Sequence, residues 1–440
     1  MEFKVKGNLS YAIEELKNDK NSAIASVYEI ENKNVGILSN VIFTLKNNYA
    51  KSFDSTDASS NILKDFIPGY NATILNKLFS QGARIVATTN LDEFGLGGTG
   101  TFSNRGEILH PKNNNYYVGG SSSGSAATFT KNIGFAIGSD TGDSVRLPAS
   151  NIGSVGFKPS YGAVSRYGLF SYCSSMDTVS WFTHNVNDSI IISQVLFGRD
   201  KYDLTSMDIK INDVKISKPK RVAYLNCFDL LENYVSDSYK KLIDKLKLNG
   251  VEIFEILPNE ELLSCIKIVY EIISFSEASS NLANLTGVGF GQRKDGKDWE
   301  EIFKNTRSKG LGSMVQWRLI LGSFYLEKEN QENYFIRSQK VRRLISDWFN
   351  KIYDEYDLLI FPSSPRVAPK KDNSNKTKDY KYMEYILTSS NLVGNPSICL
   401  NLGKYENMPF NISLESKIYS DEKLLSYSLY FEKLLGVDND

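Results

Sequence analysis

The feature that most constrains the fold is an alternation, along the whole chain, of short β-prone apolar runs with segments of helical period. This is the pattern of helices laid over a central sheet. Strands are expected at Gly36–Leu45, Arg84–Thr88, Ile133–Ile137, Ser154–Phe157, Arg221–Cys227, Val251–Ile256, Leu358–Phe361, Pro396–Leu402 and Pro409–Leu414. Helices are expected at Ala72–Gln81, Ser125–Lys131, Val186–Leu196, Ser236–Leu248, Glu260–Ala283, Met314–Phe349, Met383–Leu392 and Asp421–Leu434. Ser217–Arg221 and Lys370–Lys381 lack apolar periodicity and read as solvated loops. A length of 440 residues fits about three domains by the usual size rule, or one large α/β sheet with its helices.

Composition removes several functions. Lys and Arg number 51 and Asp and Glu number 51, so no basic excess draws the chain to a polyanion. With only two histidines, His110 and His184, a histidine triad or a histidine-rich metal site would have to use one of them. Cys173, Cys227, Cys265 and Cys399 lie far apart with no CxxC pair, which argues against a zinc knuckle or a disulfide framework and for a reducing compartment. No apolar run approaches the ~18 residues of a membrane span, and the first residues show no signal-peptide core. A soluble, cytoplasmic protein without a membrane partner is expected.

Gly119–Ser150 is unlike the rest of the chain: two Gly/Ser-rich turns bracket a short helix and a strand. Such turns allow close approach to the backbone and can present several N–H groups to one anion. A flexible linker has no use for the apolar run GFAIGSD in its middle. A phosphate loop would need a Lys after the glycines, and none follows. GSSSG matches a nucleophile elbow centred on Ser122, but that motif needs a late histidine, and His184 comes too early. The remaining reading is serine catalysis without histidine. There a lysine takes the hydroxyl proton once burial has brought its pKa from ~10.4 toward neutrality. Lys46, at the end of the apolar run Val41–Leu45, is the candidate.

These residues resemble the amidase signature family: a lysine after an apolar strand (Lys46), then GGSSxGS (Gly119–Ser125), then GSDTGxSxRxPA (Gly138–Ala149). Leu91–Thr101, Ser154–Ser165 and Ser338–Ile345 extend the resemblance over most of the chain. Within the family, GSDTGDSVRLPAS, TRSKGLGSMVQWRLILGSF and SQKVRR are similar to the branch formed by the A subunits of tRNA-dependent aspartyl/glutamyl amidotransferases. The resemblance implies a mixed central β-sheet with helices on both faces, with residues 31–435 as the amidase domain and 1–30 as a short N-terminal helical segment. It also implies hydrolysis of glutamine, the ammonia passing to a partner that amidates mischarged tRNA. The partners would be the B and C subunits, with ATP and Mg²⁺ in a partner and no cofactor in this chain.

Carried over residue by residue, the resemblance makes Ser144 the nucleophile. Ser121, after a cis peptide bond, relays the proton to Lys46, and the backbone N–H groups of Thr141, Gly142, Asp143 and Ser144 form the oxyanion hole. It makes Arg342 the holder of the substrate carboxylate, with Arg343 as its neighbouring alternative, and Glu384 the acceptor for the substrate amino or amide group. Phe290 and Gln292 stand where the family usually has tyrosines. Asp140 and Arg146 are expected to order the turn that carries Ser144. Ser123 and Asp143 replace usual glycines, and Arg146 is the candidate partner for the Asp143 carboxylate. A stand-alone amidase with the same triad and a non-catalytic scaffold are the alternatives.

Overall fold

The computed structural model describes residues 2–436. Eleven strands form one sheet: β1 (Ile24–Val27), β2 (Ile42–Lys46), β3 (Arg84–Thr89), β4 (Phe135–Asp140), β5 (Val155–Lys158), β6 (Thr178–Thr183), β7 (Arg221–Leu225), β8 (Glu252–Ile256), β9 (Leu358–Pro362), β10 (Ser397–Tyr405) and β11 (Met408–Glu415). Their order is β1-β3-β2-β4-β6-β5-β10-β11-β9-β7-β8. β2 runs parallel to β3 and β4, and β7 parallel to β8 and β9, while the other neighbours are antiparallel. The sheet is therefore mixed, as expected. Every residue of β2, β4, β6, β9 and β11 is buried, so side chains pointing to either side of these strands are covered, which requires helices on both faces.

The expected strands all form, with ends shifted by a few residues. The largest shift is at Gly36–Leu45, where the strand begins only at Ile42. Two further strands are not expected from the sequence. β1 lies within residues 1–30, beside the helix Leu9–Lys17, and pairs antiparallel with β3. That segment is thus joined to the sheet and is not purely helical. β6 sits in the middle of the sheet between β4 and β5.

Three helical expectations need correction, the first being Ser125–Lys131, where the helix spans only Ser123–Ala127. Met314–Phe349 is two helices, Ser313–Leu326 and Arg337–Glu355, separated by a turn and a π-helical stretch Glu332–Ile336. The polar run Glu327–Gln331 holds no Gly or Pro to mark the break. Met383–Leu392 is a pair of short 3₁₀ turns followed by the helix Ser389–Val393. An additional helix forms at Trp299–Gly310, capped by the Asp298 side chain accepting from Glu301 N–H. Among the described residues no helix is long and apolar enough to cross a membrane.

The topology also positions the site. β3 and β4 flank β2 and both run parallel to it, so the C-terminal ends of the three open on the same edge of the sheet, where α/β proteins place ligands. Lys46 ends β2, the loop holding Asp92 follows β3, and Thr141–Val145 follows β4.

Candidate active site

Lys46 is fully buried. Its Nζ lies 2.8 Å from Ser121 Oγ, 2.9 Å from Ser139 Oγ, 3.0 Å from Ser122 Oγ and 3.4 Å from the Ser139 carbonyl oxygen. Three hydroxyls can serve the amine in either state. As an ammonium it donates to all three; as a neutral amine it donates to two and accepts the hydrogen of the third. Burial lowers its pKa to about 7, opposed in part by the negative charges of Asp92, Asp140 and Asp177. The carboxylates are buried neighbours, none of them within ion-pair distance of the amine, so desolvation wins.

Ser121 follows a cis Gly120–Ser121 peptide, and Ser122 follows it into the short helix Ser123–Ala127. A Cβ on Gly120 would come within 2.1 Å of Asp92 Oδ2, so only glycine lets this turn pack on the β3 loop. Asp92 is itself held by the N–H groups of Gly100 and Phe102, at 3.1 and 2.9 Å. Ser122 Oγ accepts from Lys46 and donates to the Ser139 carbonyl at 3.2 Å. It is a buried support of the lysine, which removes the nucleophile-elbow reading.

The turn after β4 carries Ser144, and its backbone is tied to the Ser121–Ser122 turn by the Ser122 N–H donating to the Ser144 carbonyl at 3.2 Å. Asp140 and Arg146 brace this turn. Arg146 Nε and Nη2 donate to Asp140 Oδ2 and Oδ1 at 3.1 and 2.9 Å, and Nη2 also donates to the Gly142 carbonyl at 2.8 Å. Asp140 Oδ2 in turn accepts from the N–H groups of Val145 and Arg146, at 3.0 and 3.3 Å. On the far side, Thr141 Oγ1 donates to Asp177 Oδ1 at 2.7 Å. Braced in this way, the N–H groups of Thr141, Gly142, Asp143 and Ser144 donate to no acceptor among the described residues. Four such donors on one turn are able to receive an anion. The Tyr270 ring closes over them: a Cβ on Gly142 would lie 3.1 Å from its Cε2 and Cζ.

Arg146 does not partner Asp143. Its remaining donors go to the Leu387 carbonyl, Ser390 Oγ and Asn391 Oδ1, each at 2.7 Å. Asp143 is half-buried and lines a cleft of about 620 Å³ together with Glu384, Tyr117, Ser363, Arg366 and Lys376. Burial, then the Asp140 charge, push its carboxyl up to about 7, with Arg146 pulling the other way. Ser123 takes the usual glycine position inside the helix after Ser122, and its hydroxyl is buried without a hydrogen-bond partner among the described residues.

The substrate-binding expectations separate. Glu384 lines the cleft, where Lys376 Nζ lies 3.0 Å from its carboxylate. Arg342 does not reach it: its guanidinium donates to the Leu392 carbonyl, Ser175 Oγ and the Ser175 carbonyl, at 2.9, 3.0 and 3.1 Å. Those bonds tie the helix Ser389–Val393 to the Ser175 turn and engage each of the three guanidinium nitrogens. Arg343 points away, at Asp347 on its own helix. Phe290 is 62% exposed and lines a separate apolar pocket with Phe66, Phe94 and Phe170, while Gln292 accepts from Lys294.

The cation not expected from the sequence is Arg318. It stands on Ser313–Leu326, half-buried, with its guanidinium 5.0 Å from the Phe275 ring centroid. The guanidinium makes no ion pair or hydrogen bond among the described residues. Burial raises Asp92, Tyr172 and Tyr270, and the Arg318 charge lowers all three. Its charge thus reaches Asp92, on which Gly120 packs, and Tyr270, whose ring packs on Gly142. Its signal lies in the stretch TRSKGLGSMVQWRLILGSF, upstream of the SQKVRR motif to which the carboxylate role was assigned.

Known proteins resemble this chain over most of its length. The family model described as Amidase matches residues 7–425. The chain is 34% identical to the A subunit of glutamyl-tRNA(Gln) amidotransferase from Mycoplasma genitalium, over 97% of this chain and 94% of the relative. It is 37% identical to the protein of the same name from Aliarcobacter butzleri, over 98% and 96%. Among solved structures, that of the glutamyl-tRNA(Gln) amidotransferase A subunit from Thermotoga maritima superposes with a TM-score of 0.80 at 29% identity, over 97% of this chain and 91% of that one.

Proposed function

The chain belongs to the amidase family, and from that premise we propose that it is the glutamine-hydrolysing A subunit of a tRNA-dependent amidotransferase. Its similarity to the proteins of that name spans nearly the full length of both partners, so the likeness is not confined to the catalytic turns. The observation that carries the chemistry is the buried Lys46 amine, 2.8 Å from Ser121 Oγ, at the strand edge that also holds the Ser144 turn.

In this reading neutral Lys46 accepts the hydroxyl proton of Ser121 as Ser121 takes that of Ser144. Ser144 Oγ attacks the side-chain amide carbon of glutamine, and the N–H groups of Thr141 to Ser144 receive the oxyanion. The proton returns through Ser121 to the leaving nitrogen, which departs as ammonia. Water then repeats the sequence on the glutamyl ester and frees Ser144. Asp140 and Arg146 act by holding the turn, and Glu384 faces the substrate from the cleft. Arg318, a cation beside the site with no partner among the described residues, takes the carboxylate role first expected of Arg342.

The ammonia would pass to a partner that binds ATP, Mg²⁺ and the charged tRNA, in an assembly with B and C subunits in the cytoplasm. Balanced charge on this chain suits a component that leaves RNA binding to others. The test is ammonia release from glutamine by the chain alone and with its co-purifying partners. Low release that rises with partners, ATP and charged tRNA supports the proposal. Full release by the lone chain, indifferent to partners, contradicts it.

Asp143 favours a second reading, a scaffold whose oxyanion hole is spoiled by a carboxylate. Failure of a serine-reactive probe to label Ser144 in the active assembly would support that reading.

A further inference from the structure

An acidic side chain beside an oxyanion hole poses a physical problem, because negative charge develops there during the reaction. The other buried carboxylates around this site have solved it locally. Asp140 is gripped by Arg146, Asp92 by two N–H groups, and Asp177 by Thr141, Ser171 and two N–H groups. The Asp143 carboxylate has no hydrogen bond or ion pair among the described residues. The nearest cation, Arg146, is spent on Asp140 and on five other oxygens. In the cleft that Asp143 lines, Lys376 is taken by Glu384, and Arg366 donates to Asn375 and sits over the Tyr380 ring. The Tyr270 ring packs on the adjoining Gly142 and is neutral. No described residue therefore pairs with the Asp143 carboxylate.

We propose that Asp143 is a specificity-determining residue whose carboxylate receives the ammonium group of an amino-acid amide substrate. The inference rests on the glutamine-hydrolysing reading above and deepens it. Asp143 adjoins Ser144, with consecutive Cα atoms about 3.8 Å apart, and the α-nitrogen of glutamine is four bonds from the carbon that Ser144 attacks. A substrate seated on Ser144 thus keeps its ammonium within reach of the neighbouring side chain. The same contact removes the charge conflict: with the cation bound, the carboxylate no longer opposes the oxyanion. With a substrate that lacks the ammonium, it does. A carboxyl raised to about 7 by burial and by Asp140 is half-ionised near neutrality and is drawn into its ionised form by a bound cation.

The experiment compares kcat/KM for glutamine and for glutaramate, the same amide without the α-amino group, on the full chain with whatever partners co-purify. Both substrates are read on one sample, so their ratio does not depend on how much of a variant folds, and titration of Lys46 cancels from it. The wild type is expected to prefer glutamine, and Asp143→Asn and Asp143→Gly are expected to reduce that preference by about tenfold or more, the worth of one charge-assisted hydrogen bond. The wild type alone supplies a second readout, because its preference is expected to decline as pH falls below about 7 and Asp143 takes up its proton. A ratio unchanged by both variants and flat with pH overturns the role of Asp143 while leaving glutamine hydrolysis intact. A wild type that uses glutaramate but not glutamine overturns the glutamine reading and this one together.

Discussion

Lys46 Nζ and Ser121 Oγ stand 2.8 Å apart in a region where the lysine has no exposed surface. One comes from the end of β2 and the other from the turn before the helix Ser123–Ala127. The sheet edge brings them together although they lie far apart in sequence. A lysine placed there has no salt-bridge partner among the described residues to hold its charge, and that is the condition under which an amine becomes a base near neutral pH.

The base is expected to show in the pH dependence of the reaction. Since Lys46 must be neutral to accept a proton, kcat/KM for glutamine should rise with pH through about 7. Lys46→Arg, which holds its proton at every accessible pH, should lose at least about a thousandfold in kcat. A kcat within about tenfold of wild type in that variant would remove Lys46 from the chemistry.

Stability should carry the same signature. Between about pH 7 in the folded state and ~10.4 in the unfolded state, the unfolded chain holds a proton on Lys46 that the folded chain does not. The contribution of this residue to stability therefore increases with pH across that window. Subtracting the melting temperature of Lys46→Met from that of wild type at each pH should give a difference that grows from about pH 7 to about pH 10. A difference that is flat or falls would mean that the amine stays charged when folded.

Arg146 is expected to be a structural requirement of the turn. Its guanidinium is fully buried, forks onto Asp140 and lies 3.8 Å from Glu415, so Arg146→Met strands two buried carboxylates. Breaking one partner of such a pair costs about 3–5 kcal/mol. Chemical denaturation should show a loss of that size, and a loss below about 1 kcal/mol would mean that other groups hold Ser144 in place.

The two arginines should separate cleanly. Arg318→Ala is expected to raise KM for glutamine by about ten- to a hundredfold, the worth of a charge-assisted bond to a carboxylate, with little change in melting temperature. Arg342→Ala should do the reverse, lowering the melting temperature through the lost bonds to Leu392 and Ser175 while leaving KM within a few fold. The opposite pattern would restore Arg342 as the substrate ligand.

Gly142→Ala tests the ceiling of the oxyanion turn. Its new methyl would meet the Tyr270 ring at 3.1 Å, closer than ordinary contact, so the turn or the ring must move. Misplacing one donor is expected to cut kcat by about a hundredfold with KM nearly unchanged. An unaffected kcat would show that Tyr270 yields freely and that these N–H groups are not the hole.

What is legible in the sequence follows the strength of the physical signal. The central strands carry runs such as VIFTL and LLIF, which can only be buried, and they stand out. β1 is four residues long and half-buried throughout, and β6, TVSWFT, buries Thr and Ser as fully as Val and Phe. β1 displays neither the apolar run nor the alternation by which a strand is read, and in β6 the alternation from Thr178 to Trp181 breaks at Phe182. Lys46 is legible because the Gly/Ser-rich region offers serines without a histidine to serve them, and a lysine ends the apolar run Val41–Leu45. Its pairing with Ser121 then follows from the parallel arrangement of β2, β3 and β4. The choice between Arg318 and Arg342 is not legible, since it depends on which guanidinium the fold leaves without hydrogen bonds. The broken helix at Glu327–Gln331 hides that geometry. The expected Asp143–Arg146 pairing fails for a similar reason: Leu387, Ser390 and Asn391, which complete the claim on the guanidinium, are distant in sequence.

The central claim, that a neutral Lys46 activates Ser144 through Ser121, is tested most directly by the rate at which a serine-reactive phosphonate labels Ser144 as a function of pH, with the adduct located by peptide mass. The account expects a single adduct on Ser144, formed at a rate that climbs with pH through about 7 and collapses in Lys46→Met. Labelling that lands elsewhere, or that proceeds equally well without the Lys46 amine, would contradict it.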